Sequence, residues 1–328
     1  MPAFPAPSLL FPTELPDSLP ATGLALLDQE AVLAVQGNDA TRFLQGQLTC
    51  DVAALQPGEH TLGARCNPQG RMQSSFRLLK LSEQSYLLAM AADLLEPQQQ
   101  DLSRYAVFFK VQLTDASQQW VRLGLWGEAA ATAIAGAGLA QAGDDEETGR
   151  ALAIAEQTWE VWLPTAQAAD KVRALSTQAQ PLPVEAWELQ QIRLGLGQVR
   201  GGTRESFIPQ MLNLQQLGGV SFHKGCYTGQ EIVARMQYLG KLKRRMYRLL
   251  WDGEQVPAPG AATHRAGQSQ SVGEVVMAAR AGGQVELLAV LQKDAAELPD
   301  LTLADSTQPL RVSTLPYEQQ MAADEAAH

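Results

Sequence analysis

The residues best suited to chemistry lie in one stretch, Leu217–Arg235, which reads LGGVSFHKGCYTGQEIVAR. Cys226 at its centre is a nucleophile and a soft metal ligand once it is a thiolate, and a nearby cation would favour that form. Lys224 stands two residues before it and His223 three. Gly225 and Gly229 bracket Cys226, Tyr227 and Thr228, so the backbone is free to turn tightly and to approach a ligand closely. Gln230 and Glu231 complete the run. Residue type alone also fits a plainer reading, in which Cys226 is a small buried side chain beside a turn.

Other chemistries have little to stand on. The three cysteines, Cys50, Cys66 and Cys226, are widely spaced, with no C-x-x-C, and the four histidines are scattered. That pattern predicts neither a disulfide framework nor a stable metal site. Two glycine pairs, Gly136-Ala-Gly138 and Gly195-Leu-Gly197, lack the third glycine of a dinucleotide fingerprint, where Gln141 and Arg200 stand. Neither pair sits between a strand and a helix, as a pyrophosphate site requires.

Charge points in two directions. The 328 residues hold 25 Lys and Arg against 35 Asp and Glu, a net charge of -10, which excludes a general nucleic-acid coat. Between 220 and 248, however, Lys224, Arg235, Lys241, Lys243, Arg244, Arg245 and Arg248 face only Glu231. Such a run reads either as a contact surface for an anionic partner or as a solvated strand and linker face.

The elements that must position these groups follow from periodicity. Strands are predicted at 31–35, 60–66, 72–81, 86–91 and 107–113, with a turn at Asn67-Pro68-Gln69-Gly70 and helices near 39–48 and 93–105. The run 121–184 then reads β-α-β-β-α-β, a ferredoxin-like arrangement, with Gly143–Gly149 as a solvated turn. A helix over 184–195 puts Trp187 on its apolar side and stops at Gly195. Residues 196–230 are glycine-rich and suit a site-forming loop, and short strands from 246 to 315 predict a small β-barrel or sandwich. Six prolines among the first twenty residues predict an extended arm with no secretory signal, and residues after Tyr317 a frayed tail. Hydrophobic residues make up 45%, enough for ordinary cores, and no apolar run approaches the ~20 residues of a membrane span. Cytoplasmic residence is the expectation.

Lys224-Gly225-Cys226-Tyr227-Thr228-Gly229-Gln230-Glu231 resembles the signature octapeptide of the YgfZ family, folate-binding relatives of the glycine cleavage T-protein aminomethyltransferases. Phe43-Leu-Gln-Gly-Gln-Leu-Thr49, Phe207-Ile-Pro-Gln210 and Leu217-Gly-Gly219 support it, and the resemblance covers about residues 20 to 318. It implies an α+β fold: two ferredoxin-like units around a central folate channel, followed by a C-terminal β-barrel. The implied divisions are an arm (1–18), a discontinuous first domain (19–50 and 116–240) carrying the motif, an inserted second domain (51–115), the barrel (241–318) and a tail (319–328).

The resemblance further implies tetrahydrofolate or a derivative as ligand. Trp187 matches a tryptophan placed at the folate site in relatives, and Glu30 stands where relatives carry an aromatic. It also implies support of iron–sulfur client enzymes of the tRNA methylthiotransferase type, with Cys226 as the reactive thiol assisted by Lys224. Three roles for that thiol stay open: transient ligand to iron, redox group, or nucleophile toward a folate-borne one-carbon unit. Arg235, Lys241, Lys243, Arg244 and Arg245 would hold a folate tail or a partner, and direct tRNA contact is the weakest expectation.

One departure bears on turnover. In the run Gly70-Arg71-Met72-Gln73-Ser74-Ser75, serines stand where the aminomethyltransferases carry an Asp pair. A serine holds no charge and is no base at neutral pH, so aminomethyl transfer by that route loses its group. The rival readings are a folate-dependent one-carbon transferase using another base, and a non-catalytic folate-sensing adaptor docking through the basic run.

Overall fold

The computed structural model describes residues 10–139, 149–303 and 306–326. The elements begin with β1 (Thr22–Leu26), β2 (Glu30–Gln36), α1 (Ala40–Gln45), β3 (His60–Cys66), β4 (Met72–Ser82), β5 (Ser85–Ala91), α2 (Leu95–Ala106) and β6 (Gln112–Asp115). There follow β7 (Trp120–Gly127), α3 (Ala130–Gly136), β8 (Arg150–Ala155), β9 (Thr158–Pro164), α4 (Thr165–Leu175), β10 (Gln180–Leu182) and α5 (Val184–Leu194). The last third holds α6 (Gln230–Tyr238), β11 (Arg244–Trp251), β12 (Ala262–Arg265), β13 (Ser271–Ala281), β14 (Gln284–Gln292), α7 (Lys293–Ala296), β15 (Leu301–Leu303), β16 (Arg311–Ser313) and α8 (Glu318–Ala326).

The described strands form three sheets, which makes the chain α+β. The first has the order β10-β1-β7-β9-β8. Its β7-α3-β8-β9-α4-β10 run is the expected ferredoxin-like unit, widened by β1, which lies parallel to β10 and antiparallel to β7. The second has the order β3-β4-β5-β2-β6, the same topology with an extra edge strand. The third is an antiparallel sheet of order β15-β12-β13-β14-β11-β16, a half-barrel sheet whose edge strands are β15 and β16.

Strand pairing redraws two expected boundaries. β2 pairs with β5 and β6, so residues 30–36 share a sheet with the 51–115 stretch, whereas only β1 joins the sheet built from 120–182. The reason is chain geometry: β2 runs antiparallel to both neighbours, with Val32, Ala34 and their partners Leu87 and Ala89 filling one core. By compactness the chain divides into two units, Met1–Thr41 with Ala54–His60 and Leu78–Trp187, and Arg42–Ala53 with Thr61–Arg77 and Glu188–His328. The KGCYTGQE segment therefore groups with the half-barrel sheet.

Three local expectations change as well. The apolar run from Val107 is no strand, since Val107 and Phe108 are 73% and 84% exposed and pairing begins only at Gln112. The segment is set instead by Lys110, whose N–H donates to Asp39 Oδ2 at 2.8 Å and whose carbonyl lies where a Cβ on Gly37 would fall, at 2.1 Å. The chain after Tyr317 forms α8, with Met321 buried and the Tyr317 hydroxyl donating to Gly195 O at 2.8 Å. β12 and β15, of four and three residues, are too short to announce themselves by periodicity. The predicted turn at 143–149 lies outside the described residues except for Gly149, as does the start of the proline-rich arm.

The first unit is built on buried charge as well as apolar packing. Arg122 on β7 reaches Glu30 on β2 and Glu160 on β9, and all three side chains are at most 4% exposed. Its guanidinium lies 4.3 Å from the centre of the Trp162 ring, which has no exposed surface. Burial works against that charge, but the two carboxylates more than offset it and hold the arginine pKa above its ordinary value. Beside this network Trp126 and Trp187 meet with ring centres 6.1 Å apart in a cluster with Ala25, Leu27 and Leu182. Gly124 on β7 is the seat of Trp187, since a Cβ there would stand 2.2 Å from the indole. Gly124→Ala is therefore expected to cost ~1–3 kcal/mol or more, because a rigid buried ring must move. A urea midpoint within error of the parent would show that the indole has room to shift.

Candidate functional site

The segment around Cys226 is held from beneath by backbone groups distant in sequence. Leu48, Thr49 and Cys50 follow α1, and Thr49 is the hub. Its hydroxyl donates to Gly219 O at 2.6 Å and accepts from Ala64 N–H at 2.9 Å, and its carbonyl accepts from Ser221 N–H at 2.9 Å. Lys224 then turns inward. Its ammonium donates to Leu48 O at 2.8 Å and Cys50 O at 2.7 Å and lies 5.2 Å from the centre of the Tyr227 ring. A buried cation is tolerable only with such partners, and these two carbonyls supply them. Burial nonetheless lowers the lysine pKa to about 8, opposed by Cys50 and Asp51.

The other end is fixed by two glycines. Gly229 caps α6 at φ +86, and a Cβ there would stand 2.5 Å from Asn67 O and 2.9 Å from Cys66 Cβ. Gly70, at φ +71, would likewise press on Ile232. The Asn67–Gly70 turn is thus docked on the start of α6. It is closed by Gly70 N–H to Asn67 O and by Asn67 Oδ1, which accepts from Gln69 and Arg71 N–H groups at 3.0 Å. Gly225 behaves differently: a Cβ on it meets nothing, so no chain packing there demands glycine.

The outcome is an alternation across four residues. Lys224 and Tyr227 point inward, whereas Gly225 and Cys226 are exposed. The plainer reading of Cys226 as a buried side chain is overturned, and it is Cys50 and Cys66 that are buried. Burial pushes both of those thiols up to about 12, with Lys224 beside Cys50 and Arg65 beside Cys66 pulling weakly the other way. They stay protonated at neutral pH and are inert as nucleophiles. The Tyr227 hydroxyl is buried with no hydrogen-bond partner, and burial, then Cys66 and Cys50, push its pKa upward. Lys224 therefore acts here as a bracket between the 48–50 backbone and the Tyr227 ring, a different task from the thiolate assistance expected of it.

The four sequence segments that carry the resemblance come together in this unit. Residues 48–50 hold 219–224, and Gln210 Nε2 donates to Val233 O on α6 at 2.7 Å. Phe207 O accepts from Met72 N–H at 2.8 Å. Thr49 and the docked turn are not singled out as site residues by the sequence. Thr49 ends the Phe43–Thr49 segment and the turn carries its own signal, but nothing in either announces which backbone it grips. Thr228 and Gln230 are half-buried, and exposed Glu231 takes Arg235 in an i,i+4 pair at 3.1 Å.

The expected folate residues lie in the first unit and look unlike what a stacking site requires. Trp187 has no exposed surface and one face rests on Gly124, so it is a core aromatic. What it offers is its edge: the indole Nε1 is buried without a partner. Glu30 is consumed by Arg122, but its neighbour Gln29 has both amide atoms buried and unpartnered. An amide donor–acceptor pair and an indole N–H are the kinds of group that the hydrogen-bonding edge of a pterin takes, and neither residue offers an exposed ring for stacking. In the 70–75 run, Ser75 Oγ accepts from Val199 N–H at 2.8 Å and the Ser74 hydroxyl is buried without a partner, so no carboxylate stands at either position.

The basic run is partly dismantled by folding. Arg248 and Arg193 both grip buried Glu286, and Arg235 is taken by Glu231. Arg245 lies 4.9 Å from the centre of the Tyr247 ring. Among the described residues no group of three His, Cys, Asp or Glu could hold a metal ion, and no helix is long and apolar enough to cross a membrane.

Comparisons with known proteins bear on family and fold. Residues 21–147 match the family model described as the GCVT N-terminal domain. The chain is 34% identical over 310 residues to the tRNA-modifying protein YgfZ of Photobacterium profundum, covering 92% of this chain and 93% of that one. It is 34% identical over 320 residues to the protein of the same description from Klebsiella pneumoniae, covering 94% and 97%. Among solved structures, the glycine cleavage system aminomethyltransferase T from Bartonella henselae superposes with a TM-score of 0.70 at 19% identity, over 92% of this chain and 87% of that chain.

Two measurements check this geometry. Iodoacetamide on the native protein is expected to label Cys226 alone, with Cys50 and Cys66 reacting only after denaturation; early labelling of either would contradict their burial. Between pH ~8 and ~10.5 the unfolded chain keeps a proton that native Lys224 has shed, so this group's contribution to stability rises with pH there. Urea midpoints of the parent should therefore gain on those of Lys224→Met from pH ~8 to ~10, and a parent that loses ground would refute the depressed value.

Proposed function

The chain belongs to the YgfZ family, and from that premise we propose that it serves tRNA modification as a folate-binding helper whose working group is the Cys226 thiol. The observation that carries this reading is the division of labour among the cysteines. Two are buried and held protonated, whereas Cys226 is exposed on a loop bracketed by Lys224, Tyr227 and Gly229. A reactive thiol needs access and a fixed position, and this loop gives both.

The cargo in this reading is iron–sulfur material bound for a client of the tRNA methylthiotransferase type. Exposed Cys226 would release its proton to solvent and lend its thiolate as one ligand. In this reading the client supplies the remaining bonds and takes the cargo on. Folate, when bound, supplies a carrier for one-carbon units. Trp187 Nε1 and the Gln29 amide are the groups that would hold and orient it. With serines at 74 and 75, no carboxylate is available there to take a proton from a reacting amine, so the support goes to a helper over an aminomethyltransferase.

The test uses a bacterium lacking its own relative, with methylthiolated tRNA measured by mass spectrometry and tetrahydrofolate binding titrated on the same purified variants. Cys226→Ser should lose rescue and keep folate binding. Gln29→Leu should weaken folate binding about tenfold, as loss of a buried hydrogen-bonded pair would. Full rescue by Cys226→Ser would remove the thiol from the chemistry and leave a docking adaptor.

A further inference from the structure

The thiol loop continues into an exposed apolar patch that the reading above leaves unused. α6 follows the loop directly, and a rise of ~1.5 Å per residue puts Tyr238 about 12 Å beyond Gln230. Glu231, Arg235 and Tyr238 recur at i, i+4 and i+7 and are all exposed, whereas Val233 is buried. Tyr238 and its neighbour Leu239 are 57% and 85% exposed. The ring of Phe222, four residues before Cys226, meets the Tyr238 ring edge-on with centres 5.9 Å apart. The thiol loop and the far end of α6 are thus tied into one surface.

Single exposed apolar side chains are ordinary, but adjoining ones beside a reactive group mark an interaction surface. Gly240, where a Cβ would stand 2.8 Å from Met236 Sδ, lets the chain bend immediately after Leu239. Lys241 and Lys243 follow, both exposed and neither in an ion pair among the described residues. With Arg235 they set three cations beside the single acid of residues 230–243, Glu231, in a chain whose net charge is -10. Such a rim draws an anionic partner, and the apolar patch says which kind. A nucleic-acid strand could stack a base on Tyr238 but gains little by covering Leu239. A protein surface with an apolar side chain ringed by carboxylates meets both demands at once.

We propose that the outer face of α6 and the 239–243 bend dock the client protein. An apolar side chain of the partner covers Tyr238 and Leu239, and carboxylates around it face Lys241 and Lys243. A standard interface buries about 800 Å² on each partner, a disc roughly 30 Å across. One partner seated on Leu239 therefore also spans the ~12 Å back to the start of α6 and reaches the loop of Cys226. The proposal rests on the reading above in taking a tRNA methylthiotransferase as the client. It adds where that client sits and what chemistry it must present.

The experiment measures binding of the full chain to a purified bacterial tRNA methylthiotransferase by biolayer interferometry, with unmodified tRNA and a short single-stranded RNA as further probes. The variants are Leu239→Ser and the double change Lys241→Glu with Lys243→Glu. All three side chains are exposed, and thermal melts check that the variants fold. The parent is expected to bind the enzyme, and Leu239→Ser to weaken that binding about tenfold, mainly through faster release. The charge reversal should slow association about tenfold and flatten its salt dependence. Absence of binding to the folded parent, or affinity unchanged in both variants, would overturn the proposal. So would RNA binding that falls with Leu239→Ser while enzyme binding does not, which would assign the surface to RNA. The two readings fail separately. Full rescue of methylthiolation by Cys226→Ser removes the thiol from the chemistry and leaves these affinities as measured. Unchanged affinities with rescue lost in Cys226→Ser remove the docking surface alone.

Discussion

A single buried ammonium organises the candidate site. Lys224 belongs to the loop that carries Cys226, yet its charge is satisfied by carbonyls of Leu48 and Cys50, more than 170 residues earlier in the chain. Desolvating that cation is costly, and the cost is offset only while both carbonyls are in place. The 48–50 backbone, the loop and the Tyr227 ring are therefore fixed together or not at all. Exposure of Cys226 follows from this: with Lys224 and Tyr227 drawn inward on either side, the residues between them face out.

The first unit applies the same principle with a guanidinium. Arg122 between Glu30 and Glu160, stacked on Trp162, places a charge network in the interior, where removing Arg122 would take from two buried carboxylates the cation they share. Such a network fixes where β2, β7 and β9 lie. It also accounts for Glu30, whose place in the sequence invited a ligand role. The same packing consumes the faces of Trp187 and leaves its N–H edge, and it leaves Gln29, next door to Glu30, with an amide that the chain does not use.

What could be read from residue order was what depends on residue order. The β-α-β-β-α-β run from 120 to 182, the Asn67–Gly70 turn, α5 with its stop at Gly195 and the strands at 244–251, 271–281 and 284–292 follow from periodicity and turn chemistry, and all are present, while α7 and α8 interrupt the all-β reading of the last third. The KGCYTGQE segment marks the loop that carries the exposed thiol. Pairings between distant segments were not readable: β2 could have joined either sheet on its apolar pattern, and nothing in Leu-Thr-Cys at 48–50 says that its carbonyls will meet a lysine. Sequence proximity pairs Lys224 with Cys226, whereas a buried lysine goes wherever two acceptors are held ready.

The basic run shows the same limit from the side of charge. Counted along the chain it is seven cations against one acid, which suggests a single broad surface. Folding sorts it by partner. Glu286 on β14, far along the sequence, takes Arg248 and recruits Arg193 as well. Glu231 takes Arg235, one helical turn away, and the Lys224 ammonium disappears into the loop bracket. Arg245 lies against the Tyr247 ring, and Lys241 stays exposed. What a cation does is set by the acceptors that folding brings to it, and a count of positive charges along the chain carries none of that.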